Sequence, residues 1–461
     1  MAYRFLFLWL CFFTAAAFAQ KPVFNIRFSE QLAVFVFVQE INPDRRDNPF
    51  KTEFSKSKYN TEKYQKLIAE MDTLAIDYTY HFSEYPYGSK IPGMTTEFLK
   101  KNLIATDNLK EFKNRSAGLV TNKPLIRLAD IISEFTPIYR ELIYEPNKKE
   151  FEKQLADIQE YSRAHNISGY FETGLAFYGS SWDSSIPFEV AFYPLPNSEG
   201  FTAQAFYNNF VSAVQTDLTD HVSLFSVMLH EIYHIVYDEQ PLALKKQLYA
   251  SFKQNPSKNS AYAYMLLNEV LATALGNGYV MEKLNGTLDE EKWYNWKYIN
   301  EMAKKSYPLV LKYITEKKAM DKEFVDAYIQ LYDDNFPNWS NEMDNIMCFR
   351  YMISDNKEDF RTIRQQYKRR SMTEEEDQVT ENSIEKMKAV PMTKIIIVSK
   401  DHAAKLELIK RKFPELKNWK YKKDKEFTYN ILLDDKTQLF IINQINTPTE
   451  KLIEKLAVQK Q

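Results

Sequence analysis

Between Asp220 and Pro241 lies the feature that most restricts what this chain can fold into. Val222 to Glu239 contains neither Gly nor Pro, with Asp220 offering an N-cap and Pro241 a stop, so the stretch reads as one helix. Leu224, Val227, Leu229, Ile235 and Val236 make it apolar and place it in a core. The same helix nevertheless carries His230-Glu231-Ile232-Tyr233-His234, and such polar groups are costly to bury without a partner. Positions i and i+4 lie one turn apart on the same helix face. His230 and His234 can therefore aim their imidazoles at one point, which gives two nitrogens at the spacing of a zinc site. Glu231 is turned ~100° from His230, too far to be an easy third ligand. Its carboxylate can still reach a water on the metal's open side and take its proton. The competing reading is a pair of core histidines satisfied by hydrogen bonds. With only 6 His in 461 residues, that reading needs a coincidence on the order of one in a couple of hundred such chains.

A second run follows at Asn268-Glu269-Val270-Leu271-Ala272 and fits a Glu-x-x-Ala motif. Together the two runs resemble the gluzincin zinc metallopeptidases, the broad clan that includes thermolysin. The resemblance covers roughly residues 200 to 280, under a quarter of the chain, and assigns no narrower family. It implies a zincin-like fold, hydrolysis of peptide bonds, Zn2+ held by His230, His234 and Glu269, and Glu231 as general base. The metzincin pattern fails, because Tyr237 and Gln240 stand where its Gly and third His would be. A count of carboxylates also points to Glu269. It is the only acidic residue from Gln240 through Met281, and it sits among apolar neighbours where an unpaired charge is disfavoured. A salt bridge to a Lys or Arg from elsewhere is the other reading of that residue.

The rest of such a site is less well marked. An oxyanion stabiliser is expected; Tyr279, ten residues beyond Glu269, is the first candidate among 30 Tyr. His221 could contribute, although a His in a helix's first turn is more often at the surface. Thr273 stands one turn after Glu269, where relatives often carry an Asp, so another group has to orient a ligand imidazole. Phe201 to Tyr207 is positioned as an edge strand that would hold a substrate backbone, and an ordinary half-buried strand would look the same.

The remaining chain supports an α+β fold, mostly helical, with a small sheet before the active-site helix and a small C-terminal α/β unit. Arg4, the apolar run Phe5 to Phe13 and Ala17-Phe18-Ala19 predict a signal peptide over residues 1–19, cut before Gln20. From Phe5 to Ala19 there are only 15 residues, short of the roughly 20 that a membrane-spanning helix needs. Its removal leaves Cys348 as the only thiol, read as a small core residue. Residues 20–165 read as mostly helical, with Lys149 to Ala164 ending at Asn166. In the zincin-like region 166–370, Tyr170 to Tyr178, Pro187 to Tyr193 and Phe201 to Tyr207 read as strands. Ala261 to Leu275 reads as a helix ended by Gly276 and Gly278. Residues 371–391, with Glu374-Glu375-Glu376-Asp377, read as a charged linker or solvated helix. The unit at 392–461 begins with a strand at Thr393 to Ser399 and a helix capped by Asp401. A hairpin of Phe427 to Leu433 with Gln438 to Ile445 follows, then a capping box at Thr447-Pro448-Thr449-Glu450.

A net charge of −2 gives no support to nucleic acid or an anionic membrane as partner. The functional expectation is a periplasmic or secreted zinc peptidase acting on peptides or proteins, without stable membrane insertion once the leader is gone. Two alternatives stay open at this level. One is a non-catalytic envelope protein that keeps the scaffold for binding, and the other is a zinc amidase acting on cell-wall peptides.

Overall fold

The computed structural model describes residues 24–456; the signal peptide expected at 1–19 lies outside them. It is an α+β structure with two main sheets. In the first, Phe24–Phe28, Phe188–Leu195 and Asn209–Gln215 run parallel, and Gln204–Phe206 is added antiparallel at the edge. Both faces of this sheet are covered, which is why Phe188–Leu195 reads as a nearly unbroken apolar run. Alternate residues point to opposite faces. Val190, Phe192, Phe210 and Val214 join the core around the helix His221–Asp238. Ala191, Tyr193, Phe206, Val211 and Ala213 face a second core built with the N-terminal helices. Residues 24–165 are mostly helical, apart from the strand Phe24–Phe28 that enters this sheet and a small antiparallel pair, Thr79–Tyr80 with Gly93–Met94. The helix Glu145–Ala164 buries Phe151 and Ile158, and Asn166 follows in the left-handed region at φ 49°.

Three sequence expectations fail in informative ways. Tyr170 to Tyr178 is not a strand but part of the helix Ile167–Tyr178. Its buried residues Ile167, Phe171, Gly174, Phe177 and Tyr178 recur at helical spacing, and Gly174 lies under the Tyr233 ring. Gly276 and Gly278 do not end the second helix. Ser260–Thr273 continues through a π-helical segment, Ala274–Val280, into Met281–Asn285, and Gly286 at φ 82° ends it. Residues 371–391 are not a bare linker either. They hold the strand Met372–Glu376 and the helix Glu381–Lys388, whose Thr380 and Ser383 form a capping box.

That strand belongs to the second sheet, in the order Phe427–Leu432, Gln438–Asn443, Thr393–Val398, Phe349–Ser354, Met372–Glu376. The hairpin Phe427–Leu432 and Gln438–Asn443 is antiparallel, and every other pairing is parallel. The unit therefore takes its fourth strand from before residue 371, and Cys348, just ahead of that strand, is buried. The capping box expected at Thr447 is absent: Pro448 occupies the N-cap position, and Thr449 donates instead to Asp359 at 2.6 Å. Asp401 occupies its N-cap position without a capping bond from its side chain. The C-terminal sheet docks on the helix Ser260–Thr273. Tyr262 is fully buried; its hydroxyl is 3.0 Å from Thr393 Oγ1 and accepts from the Gln438 amide at 3.1 Å. Among the described residues no helix is long and apolar enough to cross a membrane.

Candidate metal centre

The helix His221–Asp238 starts where Asp220 accepts from the Ser223 amide at 2.9 Å. One face of it lies on the sheet through Leu224, Phe225, Met228 and Ile232. The second helix, Ser260–Thr273, packs beside it and brings Glu269 opposite the two histidines. Gly276 sets how close the two elements come. A Cβ placed there would lie 2.6 Å from His230 Cβ and 2.8 Å from its Cα, so no other residue fits without a shift. The Gly276 carbonyl also accepts from Ser226 Oγ at 2.9 Å, which fixes the approach one turn before His230.

His230, His234 and Glu269 each offer a ligand atom within 4.8 Å of the others. His230 Nε2 is 3.3 Å from Glu269 Oε1, His234 Nε2 is 3.7 Å from Oε2, and the two Nε2 atoms are 3.3 Å apart. His234 Nδ1 lies 3.0 Å from Asn268 Oδ1. An amide oxygen only accepts, so the His234 proton sits on Nδ1 and Nε2 presents its lone pair to the cluster. Asn268 thus supplies the orienting group that Thr273 does not. Thr273 is fully buried, and its hydroxyl has no hydrogen-bond partner among the described residues; neither has His230 Nδ1. A divalent cation suits two converging imidazole nitrogens and a carboxylate better than three groups sharing protons, so the residues fit a metal ion.

Electrostatics separates the two carboxylates. Burial alone would push the pKa of Glu269 up, but the close His230 nitrogen, the neighbouring His234 and the nearby Tyr294 hydroxyl outweigh it and hold the group at about 2. Glu269 is therefore ionised, as a ligand must be. Glu231 goes the other way: burial and the neighbouring Glu269 raise its pKa, with His234 opposing. Two acidic groups side by side are thus pushed apart in acidity, the pattern by which a proton acceptor is told from a fixed anion.

No family model, curated protein or solved structure matches this chain. The site has to be read from its own geometry.

The structure brings together His230, Glu231, His234 and Glu269, and it places the other candidates elsewhere. Tyr279 packs edge-on against Tyr170, with ring centres 6.1 Å apart, and its hydroxyl lies near Thr173. His221, at the far end of the helix, lies 3.3 Å from Gln154 Nε2 and against the Tyr161 ring. The tyrosine at the cluster is Tyr294. Its hydroxyl is near enough to Glu269 for each to shift the other's acidity, and its ring lies nearly parallel to His230, at 23° with centres 6.1 Å apart. Burial and the two carboxylates raise its pKa far above the ordinary phenol range, so it remains a hydrogen-bond donor. Its one sequence signal was the aromatic density of Trp293-Tyr294-Asn295-Trp296. The candidate substrate strand is shorter than expected: Gln204–Phe206 forms the sheet edge beside the metal helix, and Phe201 makes an isolated bridge to Val214.

Proposed function

We propose that this chain is an exported zinc-dependent metallopeptidase, with His230, His234 and Glu269 as ligands and Glu231 as general base. The observation that carries the reading is the convergence of three ligand atoms within 4.8 Å, beside a second carboxyl whose acidity is weakened by burial. Zinc bound there would supply an acidified water and polarise a scissile carbonyl. Glu231, one residue after a ligand, accepts the water's proton and passes it to the leaving amine. Asn268 holds His234 in the tautomer that leaves Nε2 free, and Tyr294 keeps Glu269 in place and has a proton to offer a developing oxyanion. The order of sheet, antiparallel edge strand Gln204–Phe206 and metal helix supports a zincin-like arrangement, in which that edge aligns a peptide. Export rests on the leader-like residues 1–19, and a product beginning at Gln20 is the expected mature form.

The test is a proteome-derived peptide library incubated with purified protein, with and without chelator, alongside elemental analysis. Close to one equivalent of zinc and chelator-sensitive cleavage are expected. Glu231→Gln should keep the zinc and lose ~10²- to 10⁴-fold in turnover. A library left intact by zinc-loaded protein would turn the reading to a binding scaffold. No metal in protein purified without chelator would sink the metal centre itself.

A further inference from the structure

Arg369 stands one tyrosine away from the ligand set. Its guanidinium carbon is 5.6 Å from the centre of the Tyr294 ring and 4.9 Å from that of Trp296. One of its nitrogens donates to Asn295 Oδ1 at 3.0 Å. The hydroxyl of the same Tyr294 faces Glu269, and each shifts the other's acidity. Aromatic clamping holds a planar guanidinium in one orientation and leaves most of its five N–H donors free at the edge.

No carboxylate among the described residues pairs with this half-buried charge. Of the neighbouring arginines, Arg364 is bonded to Glu375, whereas Arg350, which also has no carboxylate partner among the described residues, is fully buried out of reach of a ligand and donates to the Met347 and Tyr367 carbonyls. A preorganised, uncompensated guanidinium beside a metal centre is suited to an anionic ligand, and a planar carboxylate matches its fork. Extended peptide advances ~3.3–3.6 Å per residue. A substrate peptide bound at the cluster would therefore need only a few residues to reach past one tyrosine to Arg369.

We propose that Arg369 receives a carboxylate of the substrate peptide a few residues from the bond to be cut. The inference rests on the peptidase reading above. Two sources present this chemistry: the free C-terminus, which necessarily lies on the leaving-amine side, and an Asp or Glu side chain. An acidic side chain at that position makes the enzyme selective for anionic peptides, whereas the free C-terminus makes it act near chain ends. The loop Trp293–Trp296 then has two tasks, holding Glu269 through Tyr294 and presenting Arg369.

Three probes test this by calorimetry on zinc-loaded Glu231→Gln protein, in which turnover is suppressed. They are acetyl-pentaalanine as the free acid, the same peptide as its C-terminal amide, and acetyl-Ala-Ala-Glu-Ala-Ala amide. At least one charged probe should bind about tenfold or more tightly than the neutral amide, the scale of one hydrogen-bonded charge pair. Comparison of the two charged probes identifies the source of the carboxylate. The preference should vanish in Arg369→Gln and survive in part in Arg369→Lys, which keeps the charge without the fork. A clamp with only a structural role would weaken charged and neutral probes alike. If neither charged probe outbinds the neutral one, including the case where none of the three binds, the proposal is overturned. The peptidase reading is judged separately: library cleavage that favours neither acidic side chains nor bonds near the C-terminus keeps that reading and removes this one, whereas binding of charged probes without any cleavage removes the peptidase reading and keeps Arg369 as a carboxylate site.

Discussion

Gly276 touches the backbone of His230 so closely that a single methyl group would have no room. A Cβ on Gly276 would lie 2.6 Å from His230 Cβ and 2.9 Å from its amide nitrogen, and the obstacle is backbone rather than the tip of a mobile side chain. The distance between the two ligand-bearing helices is thereby written into one glycine, seven residues after Glu269.

Gly276→Ala is accordingly expected to push the helices apart. Overpacking of this kind costs about 1–3 kcal/mol, and the ligand geometry shifts with it. Thermal unfolding should show a lower midpoint, and a zinc titration against a chromogenic chelator should show weakened affinity. Gly286→Ala serves as the comparison. Gly286 has open space around it and a positive φ of 82°, so its substitution should cost stability without touching zinc affinity. Unchanged zinc affinity in folded Gly276→Ala protein would show that the close approach does not set the site.

The sequence made the metal helix legible because its punctuation was unambiguous, with Asp220 capping and Pro241 stopping a stretch free of Gly and Pro. Glu269 was legible because it is the one carboxylate in a long apolar region. Gly276 was misread for a physical reason. Glycine after a helical run usually marks an end, but here it permits contact, and the chain passes it through a π-helical segment, a widening frequent at functional sites. Met372–Glu376 was hidden by its composition. An edge strand carries charges that blunt the open edge, and Glu374, Glu375 and Glu376 are taken up by Tyr87, Arg364 and Lys386 respectively. Tyr170 to Tyr178 misled because its aromatics suit a strand by propensity, whereas the spacing of its buried residues is helical.

Asn268→Ala should remove the acceptor that fixes His234. Loss of such an orienting partner typically costs 10- to 100-fold in metal affinity or activity. Asn268→Asp keeps an oxygen at the same place and strengthens the bond to Nδ1–H, so it should retain affinity. Equilibrium dialysis against buffered zinc separates the two variants. Equal affinity in wild type and Asn268→Ala would show that the 3.0 Å contact carries no orienting role.

Tyr294→Phe and Tyr279→Phe form a direct comparison of the residue beside the ligands with the one the sequence suggested. Removing one oxyanion donor costs ~10²- to 10³-fold in kcat, and Tyr294→Phe is expected in that range with KM little changed. Tyr279→Phe removes a hydroxyl that lies near Thr173 and should stay within a few-fold of wild type. The reverse ranking in steady-state kinetics on any cleaved peptide would return the role to Tyr279.

The last prediction concerns a charge at the foot of the metal helix. Lys245 is only 2% exposed; its ammonium donates to the Ser89 carbonyl and lies 4.7 Å from the centre of the Tyr237 ring. Burial, helped by Lys90 and opposed by Asp238 and Glu239, lowers its pKa from 10.5 to about 8. A lysine lowered in the folded state binds its proton more weakly there than in the unfolded chain. Below pH 8 both states are protonated and the fold carries the whole penalty, on the order of 3 kcal/mol at 1.36 kcal/mol per unit. Between pH 8 and 10.5 the folded protein loses the proton first, so this contribution makes stability rise with pH until the penalty is gone. Lys245→Met removes the titration but leaves the Ser89 carbonyl without its donor, an offset that does not depend on pH. The stability difference between Lys245→Met and wild type, followed by urea unfolding, should therefore move in favour of wild type from pH 8 to 10.5 by about that amount. A difference that stays flat across this window would mean that Lys245 keeps an ordinary proton affinity, with hydration or the carboxylates of Asp238 and Glu239 cancelling the cost of its burial.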